Sequence, residues 1–113
     1  MRFHGSCHCG AVRFVFDADP ITEGIRCNCS ICRRKGAVLS KTWITDVTVE
    51  GRERLSVYHW GDRMMNHWFC PTCGISPFSD PIDRPGTYRV NLGCVDGVDP
   101  YALAVTVIDG ASF

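Results

Sequence analysis

Phe69-Cys70-Pro71-Thr72-Cys73-Gly74 has the form of a zinc knuckle, and its reading decides how the chain folds. Two cysteines three apart can grip one cation while the intervening backbone N–H groups point at the sulfurs. Gly74 supplies the positive φ that so tight a loop often needs. Two more cysteine clusters accompany it: Cys7-His8-Cys9, flanked by Gly5 and Gly10, and Cys27-Asn28-Cys29-Ser30-Ile31-Cys32. Seven thiolates divide into four for a closed site, which holds a fold together, and three for an open one, which can do chemistry.

Joining Cys7 and Cys9 to Cys70 and Cys73 would close a loop of about sixty residues, a useful cross-link in a chain with a small core. Spacing alone also allows Cys7 and Cys9 to join Cys29 and Cys32. Two close pairs with flanking glycines argue against merely buried free thiols.

Cys27, Cys29 and Cys32 stand at offsets 0, 2 and 5 and can wrap one ion, the last donated from a helical turn. No fourth thiol stands beside them. A tetrahedral ion so held keeps a position for water or substrate, and a three-thiolate site suits exchange of a soft ligand such as an incoming thiol. Arg33, Arg34 and Lys35 follow at once. They could offset the site's negative charge and hold the carboxylates of an anionic substrate. A second closed site completed by Cys94 or a histidine is the competing reading. Cys94, at a strand end, reads more simply as a small buried hydrophobe. His67, three before Cys70, could act as acid–base group or ligand, although a hydrogen-bonded histidine in a sheet is commoner.

Composition narrows the function classes. A chain of 113 residues, 45% apolar, is expected to be one domain spanning residues 1–113. Twelve Lys+Arg balance twelve Asp+Glu, which argues against a nucleic-acid surface. Two Zn²⁺ on seven thiolates would bring the charge to about −3, weakening that reading further. No apolar signal-peptide core or membrane-crossing stretch is visible, so a cytoplasmic location is expected. Reduced thiols there favour metal over disulfides.

The strand pattern is all-β. Residues 11–17 alternate, with Val12, Phe14 and Phe16 on one face and Arg13 on the other. Residues 38–44, 55–60, 64–69, 87–92 and 102–108 are also expected as strands, about six to eight in all, with a hairpin at Gly61-Asp62. Residues 80–86, with two prolines and a glycine, read as a surface loop. The one helical turn expected runs from Ser30 to Lys35, with Ser30 as N-cap and Gly36 ending it.

Gly5-Ser6-Cys7-His8-Cys9-Gly10-Ala11-Val12, Cys27 to Gly36 and Phe69 to Gly74, in that order, closely resemble the glutathione-dependent formaldehyde-activating family, which also includes centromere protein V. The resemblance implies a β-tent fold of short antiparallel sheets around a structural zinc on Cys7, Cys9, Cys70 and Cys73. It implies a catalytic zinc on Cys27, Cys29 and Cys32, hence two Zn²⁺ per chain. It also implies carbon–sulfur lyase chemistry, in which glutathione and formaldehyde give S-hydroxymethylglutathione reversibly. Small thiol and aldehyde substrates are the expected partners. The alternative is a non-catalytic zinc scaffold binding a protein or chromatin partner. An open three-cysteine site beside Arg33 and Lys35 favours the enzyme; an exposed apolar patch without a pocket favours the scaffold.

Overall fold

A computed structural model describes residues 1–60 and 64–112. It is nearly all-β, built as three small sheets. The first orders β1 (Arg2–Ser6), β2 (Arg13–Asp17) and β5 (Thr48–Glu50), all antiparallel. The second holds β3 (Glu23–Cys27) between β4 (Leu39–Ser40) and β10 (Ala104–Ile108). The third runs β6 (Ser56–Tyr58), β7 (Met65–Phe69), β8 (Phe78–Pro81) and β9 (Arg89–Val90). The helix α1 spans Ser30–Lys35.

Alternation in β2 buries Phe14 and Phe16 and exposes Arg13, as the period of two requires. These rings join Phe3, Phe78 and Tyr88 in one core: Phe14 meets Phe78 edge-on at 5.7 Å, and Phe78 lies 4.8 Å from Tyr88. Val12 leaves that core for a smaller cluster with Cys7 and Cys70. The first sheet thereby connects the aromatic core to one group of cysteines.

Among the described residues ten strands form, against the six to eight expected, and β10 pairs parallel with β3 so that Ile108 stands opposite Cys27. Residues 38–44 do not make one strand. Arg89 donates from Nη1 to the carbonyls of both Ser40 and Lys41, which ends β4, and Ile44 pairs separately with Tyr88. Asp80 and Pro81 belong to the buried β8 rather than to a surface loop. The Asp80 carboxylate tolerates burial because it accepts from Trp68 Nε1 at 2.8 Å and from the Gly86 amide at 3.3 Å. The N-cap of α1 is Cys29, one residue before Ser30, and left-handed Gly36 ends the helix as expected. Strands β6 and β7 pair antiparallel, while the hairpin turn expected at Gly61-Asp62 lies outside the described residues. Among the described residues no helix is long and apolar enough to cross a membrane.

Candidate metal centres

Cys7 follows the last residue of β1, Cys9 sits in the ensuing turn, and Cys70 and Cys73 occupy the turn after β7. His8 lies in an exposed turn. The four sulfurs all lie within 4.8 Å of one another. Cys9 Sγ is 3.7 Å from Cys7 Sγ and 3.7 Å from Cys70 Sγ. Tetrahedral Zn–S bonds of about 2.3 Å place sulfurs about 3.8 Å apart, so the cage fits zinc, whereas a disulfide needs about 2 Å.

Backbone geometry builds this cage. The Val12 amide donates to Cys7 Sγ at 3.4 Å, and the Gly74 amide to the Cys70 carbonyl at 2.7 Å, with Gly74 at φ 79°. Hydrogen bonds from the Cys9 and then the Ile75 backbone pull the Cys73 thiol down to about 6. Backbone hydrogen bonds, from Cys73 first, lower Cys70 as well. At Cys9 the Ala11 backbone hydrogen bond is outweighed by burial and the neighbouring thiols, which push the thiol up to about 11. The bias toward thiolate therefore lies in the Cys70–Cys73 turn.

Cys27, Cys29 and Cys32 form a second group, each half-buried. Cys27 ends β3, Cys29 caps α1 and Cys32 lies in its first turn. Among the described residues no fourth Cys, His, Asp or Glu joins them, and Cys94 belongs to neither cluster. Burial pushes the Cys94 thiol up to about 12, the behaviour of a packed apolar side chain. Burial also lifts the Cys32 thiol to about 12. At Cys29 burial is outweighed by hydrogen bonds from the Cys32 backbone, the Cys32 and Cys27 side chains and the Ile31 backbone, and the thiol falls below its usual value.

The chain's far end braces this group. The Asn28 amide donates to the Ile108 carbonyl at 3.1 Å. Asn28 Nδ2 donates to Asp109 Oδ1 at 3.0 Å, and Asn28 Oδ1 accepts from the Ala111 amide at 2.9 Å. Gly110 lies so close to Cys27 that a Cβ there would overlap Sγ. Sequence reasoning passed over Asn28 and Gly110. The only local signal was an asparagine between two ligand candidates.

The three cysteines open into a cleft of about 520 Å³ with Trp43, Trp60, His67 and Arg89 among its walls. Among the described residues Arg89 is the one lining residue with a permanent charge. Arg33, Arg34 and Lys35 do not line it. Arg33 is exposed, Arg34 donates to the Ser30 carbonyl at 2.7 Å, and Lys35 turns to His67 and Ser76. Lys35 Nζ lies 3.0 Å from His67 Nδ1, and both border a neighbouring depression of about 390 Å³. Burial first, and the Lys35 charge second, hold His67 down at about 4, so its ring is neutral.

A family model for the glutathione-dependent formaldehyde-activating enzyme matches residues 2–107. A putative glutathione-dependent formaldehyde-activating enzyme of Halomonas elongata is 42% identical over 64 residues, 51% of this chain. That match spans 40% of the relative's length. A crystal structure of a Rhodobacter sphaeroides protein is similar throughout: TM-score 0.78 and 37% identity over 91% of this chain and 99% of that one. The cysteine clusters thus sit in a shared fold, and the chain belongs to the glutathione-dependent formaldehyde-activating enzyme family.

Proposed function

We propose that this single-domain chain is a zinc-dependent carbon–sulfur lyase-type enzyme that adds a small glutathione-like thiol reversibly to a formaldehyde-like aldehyde. The opening of the Cys27, Cys29 and Cys32 sulfurs into the cleft is the observation that carries this reading. Cys7, Cys9, Cys70 and Cys73 would hold the structural zinc, and the trio the catalytic one. A zinc ion on the trio supplies a soft cationic site that keeps a substrate thiol deprotonated near neutral pH.

In the forward direction the sulfur–carbon bond forms and the thiol proton ends on the former carbonyl oxygen. His67 would not carry that proton, which passes through solvent; with Nδ1 accepting from the Lys35 ammonium, its Nε2–H would donate a hydrogen bond to the oxygen as charge develops there. Trp43 and Trp60 give the cleft apolar walls that would hold thiol and aldehyde together. Lys35, on the helix that carries Cys32, offsets part of the trio's negative charge.

NMR exchange between formaldehyde and its glutathione adduct tests this reading. Wild type should accelerate exchange and Cys29→Ser should not; equal rates for both and for buffer would refute it. A non-catalytic scaffold is favoured by one feature, the edge strand β10, whose Val105 and Val107 are exposed. That reading gains if the exchange experiment fails.

A further inference from the structure

Among the described residues of the cleft wall, Arg89 is the one permanently cationic side chain. No carboxylate among the described residues pairs with it, and it lies among the walls that also carry Cys27, Cys29 and Cys32. Its position is built. Nη1 donates to the Ser40 carbonyl at 2.9 Å and to the Lys41 carbonyl, and the guanidinium carbon stacks 4.0 Å from the Trp43 ring centroid. These contacts use one nitrogen and one face. The Nε and Nη2 donors have no acceptor among the described residues, and together they form the planar edge that matches a carboxylate bidentately.

A half-buried arginine is costly unless its charge is balanced; burial and then nearby Arg84 make this one's charge dearer, and Cys27 offsets them only in part. The three basic residues after Cys32 do not do this work at the cleft, since none of them lines it.

Resting on the thiol–aldehyde reading above, we infer that Arg89, clamped on Trp43, receives a carboxylate of the thiol substrate and sets the enzyme's preference for anionic thiols. The clasp to β4 fixes the fork before substrate arrives, so little side-chain entropy is lost on binding. Trp43 reports occupancy because its ring is part of the site.

The test uses zinc-loaded protein and S-methylglutathione, which cannot react, with its diethyl ester as the uncharged counterpart. Binding is followed by tryptophan fluorescence and calorimetry. Wild type should bind the diacid at least tenfold more tightly than the diester. Arg89→Gln should abolish that preference, and Arg89→Lys should restore part of it through charge without the fork. Trp43→Leu, which leaves the β4 clasp intact, should reduce the same preference and keeps the test decisive if Arg89→Gln fails to fold. A preference that survives in the folded variants, or is absent from wild type, overturns the role of Arg89. If wild type shows no preference yet still accelerates adduct exchange, Arg89 alone is reassigned. If it binds neither probe and accelerates nothing, the enzymatic reading falls with it.

Discussion

Lys35 Nζ meets His67 Nδ1 at 3.0 Å, joining the helix that carries Cys32 to the strand that leads into Cys70. The pair places a buried neutral imidazole beside a cation, and that has a consequence for stability. His67 is held at about 4, whereas an unfolded histidine titrates near 6.5. Between those values the unfolded chain binds a proton that the folded chain refuses. Stability from this source is therefore complete above pH 6.5 and is lost as pH falls toward 4. Its size is at most about 3.4 kcal/mol, and less to the extent that solvent screens the ring. His67→Gln should flatten the fall in stability across this window relative to wild type, measured by urea unfolding at a series of pH values. Zinc release in acid affects both proteins, so the difference between them isolates His67. Parallel curves would show that His67 is already charged in the fold.

Cys70 is fully buried and Cys7 nearly so, in the cluster that Val12 completes. A structural zinc contributes about 10–16 kcal/mol, and a domain of this size has only about 5–15 kcal/mol in total. Cys70→Ser should therefore lose the metal and the fold together. Circular dichroism and zinc analysis of the purified variant check this. A Tm within a few degrees of wild type would remove the first cluster from its structural role.

The trio at the cleft behaves differently because its sulfurs are half-exposed and lie outside the buried core clusters. Cys29→Ser should leave the domain folded and take zinc content from two per chain to one. An unchanged content in the folded variant would refute the assignment of the second site.

The sequence disclosed the chemistry-bearing parts because cysteine spacing is local. Cys27, Cys29 and Cys32 group by their offsets alone, and the helix from Ser30 to Lys35, with Gly36 at its end, is equally legible from adjacent residues. Where partners lie far apart in the chain, local pattern carries no information. Asp80 and Pro81 have loop chemistry, yet they form a buried strand because Trp68 and Gly86 supply hydrogen bonds to the carboxylate. Lys35 looks like a substrate group by adjacency to Cys32, and its contact with His67, 32 residues away, has no local signal. Arg89 has no local signal, since its meaning depends on Trp43 and on the carbonyls of β4.

Gly110 offers a probe of the second centre that spares every cysteine. Its backbone lies outside the left-handed region, so alanine there meets no φ penalty. The added methyl would instead overlap Cys27 Sγ and touch Cys29 Cβ at 3.4 Å. The sulfur has to move, and movement of one ligand in a three-thiolate set degrades its geometry. The Asn28 bonds to Asp109 and Ala111 hold the strap in place, so relief by withdrawal of residues 109–112 costs those contacts. Gly110→Ala should lower zinc affinity at the second site by tenfold or more while the first site and the Tm change little. Competition against a graded chelator, with two release steps in wild type, measures this. If the weaker step stays where it is, the strap yields to the methyl and Gly110 does not govern the position of Cys27.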